Sequence, residues 1–361
     1  MEFVGKVRIK DIAEMAGVSV GTVDRVLHGR KSVSKLALEK VQKVLEEINY
    51  VPNHYASALA SNKVYRFATI LPLHEPDGYW AKVEEGLQEG VHRFGDFKID
   101  YRVFYYDQFN DSTFEDTTTE ILAWQPYAVV IGPIFNHRIM AKFVHQLESL
   151  NIPYSLLDSY WADFNPVTFY GQDSIRSGAF AARIILLAAG GAEPNRKKQK
   201  IALFKLMGEG RVASRQQLDR EKGFRKFIAE HSPDTEIITL NLSVYDVEAA
   251  RQELKDFLLE NIDIRYGLSF NSSIHRVANF LEQYMPEHPR MTLLGYDAIE
   301  KNKECLKRGS VDFIIAQRPH KQGLNSFRTL FNSAVLHIAQ EKVNYVGIEL
   351  LTIENVGFYK D

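Results

Sequence analysis

The sequence predicts an all-α helix-turn-helix unit at the N-terminus, followed by an α/β core of two doubly wound lobes. Three observations lead there. Two short amphipathic patterns meet at Gly17-Val18-Ser19, with a third behind them. From residue 66 onward, apolar strand-like runs alternate with helical patterns, the order that builds parallel sheets flanked by helices. Those runs are too many for one sheet of ordinary size, so two lobes are expected.

The headpiece elements follow from "IKDIAEMAGVSVGTVDRVLHGRKSVS" (Ile9–Ser34). Ile12, Ala13 and Ala16 form one apolar stripe at helical spacing, Gly17 permits a sharp turn, and Ser19 caps the next helix. Val23, Val26 and Leu27 face back toward the first stripe. Ser34 then caps a third helix whose apolar face is Leu38, Val41, Val44, Leu45 and Ile48. A helix-turn-helix lays its second helix in the DNA major groove; a generic three-helix domain has the same periodicity, which alone does not separate the two.

In the core, ten strand-like runs appear in order: "RFATILPL", "IDYRVFYYD", "YAVVIGPI", "PYSLLDS", "KIALFKLM", "TEIITLNL", "YGLSFNS", "MTLLGYD", "DFIIAQ" and "IELLTIE". Between most of them lie helical patterns such as "YWAKVEEGLQEGVHRF", "NHRIMAKFVHQLESLN" and "DVEAARQELKDFLLEN". "AAGGAEPNRKKQK" (Ala188–Lys200) reads as a polar loop.

Bulk properties exclude several classes. The formal net charge is −2, so any nucleic-acid surface must be local, and the basic excess up to Lys63 is where one would sit. No apolar run approaches the roughly 18 residues needed to span a membrane. "MEFVGKVRIKD" carries no apolar segment with a cleavage site, so no signal peptide is expected. The single cysteine, Cys305, lies in a helical pattern without a His/Cys cluster and reads as a packing or surface thiol. No G-x-G-x-x-G follows the early strands, "LMGEGR" lacks the spacing and lysine of a phosphate loop, and neither H-E-x-x-H nor G-x-S-x-G occurs. Solvated loop positions are the reading for His137 and His320, which follow strands. No catalytic residue, metal ligand or cofactor is assigned.

The stretch from Ile9 to Ala60 resembles the headpiece of the lactose/galactose repressor (LacI/GalR) family. It carries "DIAEMAGVS", "TV-RVL", "VS", "NYVPN" and "A-ALA" in order without a gap. The resemblance implies a headpiece over 1–50 and a hinge helix and linker over 51–64. That hinge helix folds when two subunits meet on DNA and wedges a leucine, here Leu59, into the minor groove. It places Arg8, Ser19, Thr22, His28, Ser34 and Asn53 on phosphates, and Val20, Gly21 and Arg25 at base-reading positions. Arg25 suits bidentate contact with guanine; Val20 offers only an apolar contact and Gly21 none.

Residues 65–361 resemble the sugar-binding core shared by that family and bacterial solute-binding proteins, a periplasmic-binding-protein-like fold. By that analogy the first lobe is about 65–169 plus 319–345 and the second about 170–318 plus 346–361. Ligands of open parallel sheets bind beyond the carboxyl ends of the strands. Asp158, Asn271, Asp297 and Gln317 close strand runs, and Arg220 in "QQLDREKGF" matches the family's effector-binding arginine. Tyr79, Trp80 and Trp161 are candidates to stack on a pyranose face, with core or interface packing the alternative. Asp173 is a further candidate, and it or Asp297 could instead cap a helix.

The expected function is sequence-specific, allosteric transcription regulation, repression above all, on pseudo-palindromic double-stranded operator DNA. The chain would act as a homodimer in the bacterial cytoplasm, controlled by a sugar or sugar derivative. A transporter's solute-binding protein and a sugar-processing enzyme are the alternatives. The C-terminal "ENVGFYKD" lacks a heptad tail, so no coiled-coil tetramer is expected.

Overall fold

The computed structural model describes residues 8–27, 33–48, 58–59, 63–190 and 199–361. The chain divides into two compact units, Met1–Ser61 and Asn62–Asp361.

The first unit holds three helices: α1 (Ile9–Ala16), α2 (Val20–Leu27) and α3 (Lys35–Glu47). Gly17 ends α1 at φ 63°, a left-handed conformation that glycine adopts without steric cost. The first turn of α2 is closed by Ser19, whose Oγ accepts from the Thr22 N–H at 3.2 Å. Ile12, Ala13, Ala16, Val23, Val41 and Val44 form the buried centre, with Leu27, Leu45 and Ile48 partly buried against it. The apolar stripes read from the sequence are therefore the faces that pack. His28 and Asn53 lie outside the described residues, as does most of the expected hinge helix; of that segment, Ala58 and Leu59 are helical.

The second unit carries two sheets. The first lobe's elements are β1 (Tyr65–Pro72), α4 (Tyr79–Arg93), β2 (Ile99–Tyr106), α5 (Asp111–Ala123), β3 (Ala128–Ile131), α6 (His137–Ser149), β4 (Tyr154–Leu157) and β5 (Thr168–Gly171). The chain then crosses over into α7 (Ser174–Ala188), β6 (Lys200–Met207), α8 (Arg215–His231), β7 (Glu236–Ser243) and α9 (Val247–Glu260). It continues through β8 (Tyr266–Leu268), α10 (Ile274–Tyr284), β9 (Thr292–Tyr296), α11 (Glu300–Arg308) and β10 (Phe313–Ala316). It returns through α12 (Pro319–Ala334) and β11 (Val343–Tyr345), and crosses a third time to β12 (Glu349–Leu351).

The strand orders are β11-β5-β4-β3-β1-β2 and β12-β10-β9-β8-β6-β7, so each sheet repeats the same doubly wound plan. All pairings are parallel except that of β10 with β12. Strands β5 and β11 were not among the runs read from the sequence. Both are short, β11 lies at the sheet edge, and β11 pairs with a strand some 170 residues away in the chain, so pairing rather than a local pattern orders it.

In each lobe two helices approach closely enough that only glycine fits. A Cβ on Gly86 of α4 would lie 1.9 Å from the His320 carbonyl oxygen, and one on Gly323 of α12 2.0 Å from that of Val83. In the second lobe, Gly178 of α7 would meet the Arg220 oxygen at 1.8 Å, and Gly223 of α8 the Ile175 oxygen at 1.9 Å. These contacts fix the depth at which α8 lies, and with it the position of Arg220. Overpacking a tight contact costs typically 1–3 kcal/mol. Gly178→Ala is expected to lower the stability of the chain in urea unfolding by about that amount or more, whereas Gly357→Ala, whose Cβ would meet nothing within 4 Å, is expected to leave it near wild type.

Candidate functional site

The carboxyl ends of the two sheets face a common cleft. Asp158 follows β4 and Asp297 follows β9, equivalent places in the two lobes. Both adopt left-handed conformations (φ 66° and 68°), which aspartate tolerates better than most residues. Each donates its backbone N–H to the next strand at 2.9 Å, Asp158 to the Tyr170 carbonyl and Asp297 to that of Ile315. The same turn thus aims a buried carboxylate into the cleft from either side.

Arg220 completes the floor. It is 1% exposed, a burial that a guanidinium tolerates only when its charge and donors are met. Its Nη1 donates to the Phe270 carbonyl at 2.8 Å, and its guanidinium lies over the Tyr296 ring at 4.0 Å. Its Nε and Nη2 are buried and have no hydrogen-bond partner among the described residues. Around it runs an amide network. Gln216 Nε2 donates to the Asp158 carbonyl (3.3 Å) and to Gln317 Oε1 (3.2 Å), while Gln317 Nε2 donates to Asp297 Oδ1 at 2.7 Å. Asn271 accepts at Oδ1 from the Ser269 hydroxyl (2.8 Å) and donates to Gln217 Oε1 (3.3 Å). The Tyr79 hydroxyl donates to Gln322 Oε1 at 3.3 Å.

Asp158, Asp297, Arg220 and the amides of Gln216, Gln217, Asn271 and Gln317 line a cavity of about 340 Å³. Of the nine cleft residues expected from the sequence, Tyr79, Trp80, Asp158, Arg220, Asn271, Asp297 and Gln317 line it; Trp161 and Asp173 do not. Trp161 is buried in the first lobe, with the Arg215 guanidinium 4.5 Å from its ring and the His137 ring at 4.9 Å, so its apolar surface is already spent. Asp173 caps α7, its carboxylate accepting from the Arg176 N–H at 3.0 Å, the capping role weighed for it. His137 pairs with Asp163 at 2.6 Å and His320 with Glu89 at 3.1 Å; neither lines the cavity. Gln216 and Gln217 line it and were not anticipated, although their spacing of four and three residues before Arg220 puts them on its helix face. Cross-lobe pairs stand at the rim. Lys301 meets Glu75 at 2.8 Å, and Arg211 meets Asp111 at 2.5 Å.

In the first unit, Val20, Gly21 and Arg25 are exposed along α2. A Cβ built on Gly21 would meet Arg25 Nη2 at 3.9 Å, so the arginine folds back over the open space at Gly21. Arg8 and Ser34 stand at the N-termini of α1 and α3, and Ser19 and Thr22 at the start of α2. Helix N-termini present free N–H groups and a positive dipole end, which suit phosphate oxygens. Leu59 is exposed.

Residues 8–53 match the family described as bacterial regulatory proteins, lacI family, and residues 67–335 match the periplasmic binding protein domain. A solved structure from Bacteroides fragilis, described as a LacI transcriptional regulator, is 36% identical, covering 82% of this chain and all of that one with a TM-score of 0.77. The chain belongs to the LacI family. Among curated LacI-type relatives, the ribose operon repressor of Lactococcus lactis is 24% identical over 95% of this chain and 97% of its own. The chain spans less than half the length of two further curated relatives, the catabolite control protein A of Streptococcus mutans and the HTH-type transcriptional regulator IdnR of Escherichia coli, the latter 25% identical over 41% of this chain and 42% of its own. The family is a regulatory one.

Among the described residues of this LacI-family chain, no helix is long and apolar enough to cross a membrane, and no group of three or more His, Cys, Asp or Glu is placed to hold a metal ion.

Burial sets the charge state of the cleft. It raises the Asp297 carboxyl to about 6, against the pull of Arg220 and the Gln317 hydrogen bond. Asp158 is raised for the same reason, again against Arg220. An acid whose folded pKa exceeds its unfolded value binds more protons when folded, so its contribution to stability falls as pH rises from about 4 to about 6. Asp297→Asn is therefore expected to stabilise the fold at pH 7, by on the order of 1 to 3 kcal/mol, and to reduce the wild type's loss of stability across that window to the part that Asp158 contributes. Chemical denaturation at pH 4.5 and pH 7 measures both effects.

Proposed function

We propose that the protein is a transcriptional repressor that binds a pseudo-palindromic operator as a homodimer and releases or engages it in response to a sugar or sugar derivative held in the cleft. The observation that carries the ligand class is the pair of unpartnered donors on buried Arg220, set among two buried carboxylates and the cleft amides of Gln216, Gln217, Asn271 and Gln317. Vicinal hydroxyls are both donors and acceptors, so one sugar ring can give protons to Asp158 and Asp297 while accepting from Arg220. Tyr79 and Trp80, in edge contact with each other at 5.2 Å, offer the apolar surface that a pyranose face needs. The cavity of about 340 Å³ suits a small ligand of that kind. The cleft also carries Ser272, Ser273 and His275, but the His275 ring bonds the Ser272 backbone carbonyl and Asn302 and the Ser273 hydroxyl bonds Asn271, so among the described residues these hydroxyls are not paired with the imidazole as a base, which favours binding over turnover.

On the DNA side, the proposed boundaries are a headpiece over 1–50, a hinge and linker over 51–64 and a core over 65–361. Arg25 reads bases from the positions it shares with Val20, which offers an apolar contact, and Gly21, which offers none, while Arg8, Ser19, Thr22 and Ser34 hold phosphates. His28 and Asn53 are assigned to phosphates on the family resemblance. Leu59 acts as the minor-groove wedge, and a two-turn hinge helix of that length is unstable alone in water and needs its partner and the DNA. The proposed compartment is the bacterial cytoplasm, at the nucleoid.

Two variants test the two halves. Arg25→Ala is expected to relax the ranking of operator variants, by about 1–3 kcal/mol at the base it reads, while Thr22→Ala weakens binding to all of them alike. An unchanged ranking for Arg25→Ala in a binding-selection assay would remove the major-groove assignment. Thermal-shift screening against pentoses, hexoses, ketoses and aldonic acids should find a stabilising sugar, and Arg220→Ala should abolish that shift while leaving operator affinity near wild type. A full shift in Arg220→Ala would remove the cleft assignment.

A further inference from the structure

The chain passes between the lobes at three places: after β5 at Gln172–Asp173, after β10 at Gln317–Arg318, and between β11 and β12 near Gly347. One side chain from the first crossing reaches the other two. Gln172 is 2% exposed, and its Nε2 donates to the Ala316 carbonyl at 3.3 Å and to the Gly347 carbonyl at 3.1 Å. A primary amide has two N–H donors, so both bonds can be made at once.

The other end of the same amide leads toward the cleft. Gln172 Oε1 accepts from the Ser177 hydroxyl at 2.7 Å. Ser177, in α7, is joined in turn to Tyr296, whose hydroxyl donates to the Ser177 carbonyl at 3.0 Å. The Ser177 and Tyr296 hydroxyl oxygens lie 3.2 Å apart; since Ser177 has one hydroxyl proton, the shorter bond to Gln172 takes it. Tyr296 is the ring over which Arg220 lies. All four side chains are buried.

Gln317 stands at the matching position of the second crossing, after the fifth strand of its own sheet, but its side chain turns into the cleft to meet Asp297. The two glutamines thus divide two tasks, one facing ligand and one facing the crossings.

We infer that Gln172 is a positioning residue that clamps the three crossings together and couples Arg220 to them through Tyr296 and Ser177. The inference rests on the effector reading above for its purpose, since it is a ligand on Arg220 that would displace the chain of contacts. Rotation of one lobe against the other changes backbone torsions at the crossings, where the two carbonyls held by Gln172 lie. Moving either carbonyl breaks a buried bond that must be remade elsewhere, which favours two discrete arrangements over a continuous slide. A contiguous buried network with discrete states is the physical requirement for coupling between sites.

The test needs no ligand, so it can fail while the effector reading stands, and the sugar screen can fail while it succeeds. Spin labels are placed at Lys142→Cys in the first lobe and Lys255→Cys in the second, both exposed, in full-length protein carrying Cys305→Ser. Pulsed dipolar spectroscopy then reads the distribution of inter-lobe distances. Gln172→Ala is expected to broaden that distribution roughly twofold, Tyr296→Phe to broaden it similarly, and the double variant to be no broader than either alone. Ser177→Ala, a smaller change, carries the same expectation should Gln172→Ala fail to fold. Leu156→Ala, a cavity within one lobe, should lower the unfolding midpoint with the distribution unchanged, which separates positioning from mere stability. A wild-type distribution in Gln172→Ala or Ser177→Ala, or additive broadening in the double variant, would overturn the inference.

Discussion

A guanidinium buried at the floor of the cleft is the constraint on which the rest of the core depends. Arg220 is expensive to bury, and what surrounds it offsets that cost: the Phe270 carbonyl, the Tyr296 ring and the charges of Asp158 and Asp297. Two of its donors are left over. A folded protein that leaves buried donors unmet gives up stability, and the deficit becomes affinity for any ligand able to meet them. The carboxylates share this logic, because burial holds them above their ordinary range and hydrogen-bond donors from a ligand would favour their ionised form.

The two-lobed plan is what delivers those groups. Each sheet ends its fourth strand in a left-handed aspartate, and each lobe pins its helices by glycine contacts so tight that a methyl group would collide with backbone. Because the helix after each fifth strand packs in the opposite lobe, the crossings are short and lie beside the cleft. Small changes in the cleft therefore act close to the segments that join the two lobes. The headpiece is organised independently, around Ile12, Val23 and Val41, with its polar and basic side chains left on the surface.

Much of this was legible in the sequence. Helical spacing marked Ile12, Val23 and Val41 as the headpiece core, and long alternating runs marked most strands. Residues closing those runs, Asp158, Asn271, Asp297 and Gln317, do line the cleft, because a strand end in a parallel sheet has few other places to point. Side chains whose partners come from distant segments were harder to place. Trp161 reads equally as a stacking platform or a core residue, and only the positions of Arg215 and His137 decide it. Strands β5 and β11 exist through pairing rather than through any pattern of their own. Gln172 carries no local signal, since its role lies in carbonyls 144 and 175 residues further along the chain.

The most direct test of the central claim, that one ligand in the cleft governs one DNA-binding event, is the linkage between the two. Operator affinity is measured with and without a saturating sugar found by screening, and sugar affinity with and without saturating operator. Coupling of this kind typically amounts to about 1–3 kcal/mol, and it must be the same in both directions. The predicted result is a matching change of roughly 5- to 150-fold in each affinity. A factor of one for a sugar that binds through Arg220 would contradict the account.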